Sequence, residues 1–461
     1  MNYLVVGAGN ASRPVARLLN HLGHDVTITE LKDICEFKSD VQRTLKQMEM
    51  EGVNLDLANK NPGLDNFDCV YLPPTLPDSA PISRLAEKTD IDILSNEEFS
   101  KIVNDLIPVD IIGITGTMGK TTTTFITSTL FKQAGLKVWA CSSLVNNLVS
   151  EAIIDGIVKG KAFECDIAIF ELPHGTIGLL NNLDLKIGLL TNIAEDHLSE
   201  FGGSAERYQQ RKLILEKMSE TFIANYSCYD IVNPIRSDAL YYSLDYDVDF
   251  KGIVGDEFLT VDYKEDTFTT PFYMMSYFFE NSVAASAIAL TYGIDKGFII
   301  DALSQFKGLP AHMEDVGDYI GRKVILDSAF LYDGMKITLD YFRDDDVVLF
   351  LDHFDTLSIR DKGEVGRLIS NYNIKTVIAS GFNEVTQEVE IEAARELLDA
   401  IDNPKIHKVA VDDIQIAACE SLKYSEPGDI ILHMGPLIAY DRITTVEKIM
   451  KGLEEGSIKY E

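Results

Sequence analysis

Hydrophobic and polar positions follow one repeating scheme along most of this chain. A short, nearly unbroken apolar run is followed by an amphipathic stretch with apolar residues three and four apart, and then by another apolar run. NYLVV, SRPVARLLNHLG and DVTITE open the pattern as strand, helix and strand. CVYLPP, PISRLAEKT and DIDILSN continue it to about Pro108. A second series starts with VDIIGIT and contains KVWACSS, CDIAIFEL and KIGLLTNI, then the helix ERYQQRKLILEKM. Around residues 235–275 the pattern turns polar and aromatic, which predicts short β segments before the Ala-rich helix NSVAASAIALTYG. From about Val316 the alternation resumes with RKVILDSA, DVVLFLD, IKTVIASG, HKVAVDD and GDIILHMG. Apolar runs separated by helices are the signature of parallel strands covered on both faces. The expectation is an α/β protein, and 461 residues exceed what one core supports.

Composition adds exclusions. No apolar run reaches the ~18–20 residues of a membrane span. The first residues lack a basic region ahead of an apolar one, so no secretory signal is expected and the chain is placed in the cytoplasm. A formal net charge of −32 argues against nucleic acid and against anionic membranes, both of which need a basic footprint. Any polyanionic substrate must then be met by a local basic pocket or by metal ions. The six cysteines at 35, 69, 141, 165, 228 and 419 form no CxxC pair, so free thiols are expected.

The chemistry concentrates where VDIIGIT runs into GTMGKTTTT. A strand-to-helix turn with Gly116, Gly119 and Lys120 directs backbone N–H groups and an ammonium at a phosphate chain, and the helix N-terminus adds its positive end. Thr121 then offers a hydroxyl where Mg²⁺ bridges phosphates. The common GxxxxGK[ST] pattern wants glycine at position 114, where Ile114 stands. Gly113 and Gly116 are expected to relax the turn instead. Glu171 closes an apolar strand, and a hard carboxylate there suits Mg²⁺, although a solvated strand-end acid has the same sequence appearance. On its own, Lys212 reads as a solvated charge on a helix. GAGNAS after the first strand, with Glu30 ending the second, approaches a dinucleotide fingerprint with serine for the third glycine; a purely structural turn is the other reading.

GITGTMGKTTTT resembles the GTNGKTTT loop of the Mur ligase superfamily, with Met118 in place of asparagine. Further segments follow in family order. CDIAIFELPHG resembles the E-x-SS-H-G segment with Pro173 for serine, TNIAEDHLSEFG the TN-x-x-x-DHLD-x-x-G motif, and ERYQQRK the Y-x-x-x-K motif. FENSVAASAIALTYGI is similar to the adenine-side helix, VILDSAF to D-Y-A-H, and VDDIQIAACESLKYSEPGDIILHMGP to the closing motif. The resemblance implies three domains. These are a Rossmann-like N-terminal domain (1–107) that binds a UDP-type substrate, a P-loop ATPase-type central domain (108–314) that binds ATP, and a Rossmann-like C-terminal domain (315–461). It also implies ATP and Mg²⁺ as cofactors. ATP contacts are implied for Thr115, Gly116, Thr117, Met118, Gly119, Lys120, Thr121 and Thr122, with Asn281 toward adenine and Asp327 from the third domain. Thr121, Glu171, His197 and Lys212 are implied metal ligands, Lys212 as a CO₂-derived carbamate. Lys120, Glu171, His197 and Lys212 are the implied catalytic set. Gly7, Gly9, Asn10, Ser12 and Glu30 would hold the pyrophosphate of a UDP-linked substrate rather than NAD.

The activity so implied is phosphorylation of a carboxylate by ATP and attack of an amine on the acyl phosphate. It would add an amino acid to a UDP-linked cell-wall precursor, and the unusual motifs resemble archaeal pseudomurein peptide ligases. The third domain departs most from the family. His312 stands where an arginine is usual, Phe330 replaces the D-Y-A-H histidine, and HMGPL replaces G-K-G-H-E. DNPK at 402–405 reads as a loop ahead of the strand HKVAVDD. Two other readings stay open: a Mur-like synthase that activates a propionate for ring closure in the nickel tetrapyrrole coenzyme of methanogens, and a non-catalytic nucleotide-binding relative. Partners are expected to be small molecules only, with the chain a monomer.

Overall fold

The computed structural model describes all of residues 1–461 except 78, 90, 195–200, 265, 273–275, 355–360, 384–385 and 436–441; side chains are described outside these and 39–40, 276–277 and 442–444. The architecture is α/β with three main sheets, mostly parallel. The chain divides into two compact units, Met1–Tyr273 with Phe279–Gln305, and Met274–Phe278 with Phe306–Glu461. Two sheets lie in the first unit and one in the second.

The first sheet has five parallel strands in the order Asn54–Asp56, Asp25–Thr29, Asn2–Val6, Cys69–Tyr71 and Asp92–Leu94. This is the doubly wound, Rossmann-like order, with the first strand central and its loop at the crossover. The helix Ser12–His21 follows that loop and meets the helix Val149–Val158 of the next sheet. Arg13 pairs with Glu151 at 2.8 Å, and Arg17 pairs with Asp155. One continuous apolar core runs through both layers, from Val5 and Ile28 to Phe170 and Leu190.

The second sheet has nine strands. Val138–Cys141, Ile167–Glu171, Asp110–Thr115, Leu185–Leu190, Ser219–Asn225, Leu240–Ser243 and Phe250–Val254 are parallel, and Phe258–Tyr263 and Asp266–Pro271 add an antiparallel edge. Ile167–Glu171 is buried at every position, as an unbroken apolar run between helices requires. Gly113 belongs to the strand Asp110–Thr115 and not to the turn. A Cβ there would sit 2.6 Å from Leu185 Cδ1 and 2.9 Å from Leu172 Cδ1, so this glycine admits leucines and leaves Gly116 to shape the turn.

In the second unit, Arg322–Asp327, Ile430–Met434, Val347–Leu351, Ile374–Ser380 and His407–Val411 run parallel in that order, with Glu314–Tyr319 antiparallel on one edge. Apolar clusters cover both faces of this sheet. Asn403 and its neighbours form the loop before His407–Val411, as the sequence suggests for DNPK. Among the described residues, no helix is long and apolar enough to cross a membrane.

Candidate functional site

Strand Asp110–Thr115 lies between Ile167–Glu171 and Leu185–Leu190, and the carboxyl ends of these strands bring the cradle residues together. Open α/β sheets bind ligands at that edge. Gly116 has φ +144 and Gly119 has φ +78, both in the region that favours glycine. Gly119 caps the helix Lys120–Gln133, and Thr123 N donates to Gly119 O at 2.9 Å. The first-turn amides of Thr121 and Thr122 have no carbonyl one turn back, which leaves them to a ligand.

Asn192 sets the loop's shape from the neighbouring strand end. Its carbonyl accepts from Thr117 N at 3.0 Å, its side-chain oxygen accepts from Met118 N at 2.9 Å, and its amide donates to Met118 O at 3.1 Å. Thr191 Oγ1 donates to Met118 O at 2.6 Å. The amides of Thr117 and Met118 are therefore held within the protein, and the outward donors are those of the first helical turn. Thr115 is buried in the strand, its hydroxyl donating to Leu172 O at 2.6 Å. Lys120 Nζ bends back to Thr117 O at 2.6 Å.

At the mouth of this turn three oxygen-bearing side chains meet. Thr121 Oγ1 donates to Glu171 Oε2 at 3.1 Å, Ser143 N and Oγ both donate to the same oxygen at 2.9 Å, and the two hydroxyls lie 2.8 Å apart. Glu171 is 2% exposed. A solvated strand-end acid is thus not what the fold produces; the carboxylate is sequestered beside the Thr121 hydroxyl. An all-oxygen set of one carboxylate and two hydroxyls fits Mg²⁺, which binds few protein ligands and completes its shell with phosphate and water. Among the described residues, no group of three or more His, Cys, Asp or Glu is placed to cage an ion.

Lys212 is 1% exposed on the helix Ala205–Met218, with Nζ 5.2 Å from the centroid of the Tyr208 ring. Tyr208 OH lies 3.2 Å from Thr117 Oγ1, which links this helix to the cradle. The plain reading of a solvated lysine does not hold. His197, and Asp196 beside it, lie outside the described residues. Asn281 packs behind the cradle: its Oδ1 accepts from Thr123 Oγ1 at 3.2 Å, and a Cβ on Gly119 would be 2.5 Å from it. Asp327 ends its strand in the second unit, 5% exposed, accepting from Thr338 Oγ1 and from Met313 N at 3.3 Å. Burial raises its pKa, opposed by the Thr338 bond and the nearby His312.

Gly7, Gly9, Asn10, Ser12 and Glu30 all line one cavity of about 1260 Å³, which also reaches Pro173 and His174 at the start of the helix His174–Leu179. Glu30 accepts from Ala8 N at 2.9 Å and from Leu31 N at 2.7 Å, and Ser12 Oγ donates to Val6 O at 2.8 Å. Asn10 Oδ1 accepts from Arg13 Nη2 at 3.0 Å. Ser143, Thr191 and Arg211 were not singled out from sequence. Ser143 follows KVWACS at a strand end, but its use depends on that strand pairing with Ile167–Glu171.

The Mur ligase middle domain family matches residues 114–289, from the strand before the cradle through most of the Asn281 helix. An uncharacterized protein of Methanothermobacter thermautotrophicus is 34% identical over 223 residues, 48% of this chain and 70% of that protein. A UDP-N-acetylmuramoylalanine–D-glutamate ligase of Staphylococcus saprophyticus is 24% identical over 97% of this chain and 94% of its own length. Among solved structures, a pseudomurein peptide ligase type C from Methanothermus fervidus superposes with a TM-score of 0.60 at 20% identity, covering 97% of this chain and 99% of the other. With the family's middle domain spanning the cradle and its three-domain fold shared nearly end to end, this chain belongs to the Mur ligase superfamily and is an ATP-dependent ligase of the Mur type.

Proposed function

We propose that this ligase adds an amino acid to a UDP-linked peptide precursor of pseudomurein type, activating the precursor's carboxylate as an acyl phosphate that an amine then attacks. The observation that carries the reading is the sequestered Glu171 carboxylate, 3.1 Å from the Thr121 hydroxyl at the start of the cradle helix. Phosphorylating a carboxylate brings anions together, and fixed cations, helix-end amides and metal-binding oxygens at one point offset that repulsion. The first-turn amides orient the phosphates, and Lys120 neutralises the transferring group. Glu171 and Thr121 would hold Mg²⁺, and His197 and carbamylated Lys212 would be the ligands of a second ion. When bound, Mg²⁺ supplies charge neutralisation between phosphate oxygens. Asn281 would face adenine, and Asp327 would be the ATP contact contributed by the third domain. The cavity behind Gly7–Ser12 receives the UDP-linked substrate, and Glu30 braces that loop. In this reading the domain boundaries lie at 107/108 and 314/315, and the protein is a cytoplasmic monomer.

The test is phosphate release from ATP with product mass measured, using UDP-linked peptides with an amino-acid panel and, separately, tetrapyrrole acids. ATP-dependent mass gain on a UDP-linked peptide supports the reading. Turnover only on the tetrapyrrole overturns the substrate assignment, and no turnover on either leaves a non-catalytic relative. Lys120→Ala should abolish product while preserving the circular-dichroism spectrum; wild-type turnover in that variant would sink the cradle assignment.

A further inference from the structure

The substrate cavity contains a cation that the mechanism above does not use. Arg211 lines it together with Gly7, Asn10 and Glu30. It precedes Lys212 on the same helix, and the ~100° step between neighbours separates their directions. Lys212 turns inward over Tyr208, whereas Arg211 lies against the helix His174–Leu179. A Cβ on Gly178 would stand 1.9 Å from Arg211 Nη1, so the guanidinium occupies space that only a glycine leaves open.

Its surroundings are unusual for a half-buried arginine. Arg13 and Arg236, also in this unit, hold carboxylates at 2.8 Å and 3.1 Å. Among the described residues, no carboxylate stands in ion-pair reach of Arg211 and no acceptor bonds it. The chain carries 73 acidic residues, so partners are not scarce. Among the described residues, the cavity lining has one carboxylate, Glu30, already engaged by Ala8 N and Leu31 N, against two basic side chains, Arg211 and Lys60. A desolvated, planar, five-donor group facing a cavity is a receptor for an oxyanion.

We propose that Arg211 determines substrate specificity by binding an oxyanion of the substrate, a carboxylate or phosphate other than the carboxylate that reacts. This rests on the reading of the cavity as the substrate site. Binding is measured by titration calorimetry without ATP, using a UDP-linked dipeptide ending in glutamate, its counterpart ending in glutamine, and UDP alone. Arg211→Gln should weaken binding of the anionic probe about 10- to 100-fold. Arg211→Lys should recover part of the loss, and Gly178→Ala, which displaces the guanidinium and keeps its charge, should reproduce much of it. ATP affinity should stay unchanged in all three. Loss confined to the glutamate probe identifies a carboxylate, and loss extending to UDP alone identifies a phosphate; either supports the proposal. If wild type binds the probes and Arg211→Gln binds them equally well, the proposal falls and the substrate reading stands. If wild type binds none of them, the UDP-linked reading falls. The same comparison with a tetrapyrrole polycarboxylate and its methyl ester then decides Arg211, and equal affinities of wild type and Arg211→Gln overturn it.

Discussion

Gly116→Ala is the sharpest perturbation of the cradle, because the structure sets both of its costs. At φ +144 the position lies where only glycine is at ease, and an alanine there costs about 1–3 kcal/mol. Its Cβ would also stand 1.9 Å from Thr191 Oγ1 and 3.0 Å from Asn192 N and O. Thr191 must then turn away and give up its bond to Met118 O, a further ~1 kcal/mol. Together these come to about 2–4 kcal/mol, concentrated on a loop that also makes three bonds to Asn192. Gly160→Ala is the control: its φ of +75 carries a backbone cost, but no atom lies within 4 Å of the new Cβ. Urea unfolding followed by tryptophan fluorescence should place Gly116→Ala below Gly160→Ala. ATP affinity by calorimetry should fall at least about tenfold in the first and stay unchanged in the second. Equal unfolding midpoints and equal ATP affinities in the two variants would refute the assignment of Gly116 as the residue that shapes the cradle.

Three further outcomes are expected. Lys212→Ala should lose most turnover and regain part with added acetate, while Lys212→Arg stays inactive because it restores only a cation; full activity of Lys212→Arg would exclude a carbamate. Burial raises the pKa of Glu280, against its bond from Asn225 Nδ2 at 2.7 Å, so its ionisation disfavours the folded state. Glu280→Gln should therefore raise the urea midpoint above the raised pKa, with the gain vanishing as pH falls below the ordinary glutamate value of about 4.3; a gain that grows toward low pH would contradict this sign. Iodoacetamide should reach exposed Cys35 before buried Cys69 and Cys141, whose thiols burial pushes up to about 11 and about 12; peptide mass mapping against time checks the order.

The parallel strands were legible because burial on both faces leaves an apolar run with no alternation to misread: VDIIGIT, CDIAIFEL and KIGLLTNI all became strands. The helix Ser39–Met50 and the strand Ser219–Asn225 were not legible. The first is largely polar, and the second follows the helix Ala205–Met218 without a break. Gly113 shows a different limit. A glycine beside a turn and a glycine that admits leucines from neighbouring elements have the same local sequence, and only the paired strands separate them.

The site divides along the same line. Gly119, Lys120 and Thr121 could be read because they act through local geometry, a turn that becomes a helix N-terminus. Glu171 could be nominated, but its isolation from solvent required Ser143 from the neighbouring strand, and nothing in KVWACSS states which strand lies beside it. Lys212 and Arg211 are the extreme case, adjacent charges on a helix whose sequence shows no strong apolar stripe. One is buried over an aromatic ring, and the other is turned into a cavity by the missing side chain of Gly178. Polarity alone assigns both to the surface. What separates them is the packing of the His174–Leu179 helix, so the information lies in a pair of residues 33 positions apart (178 and 211) and in neither alone. In an acidic chain carboxylates are abundant, and a half-buried guanidinium with none in reach among the described residues marks a place that the fold reserves for a ligand.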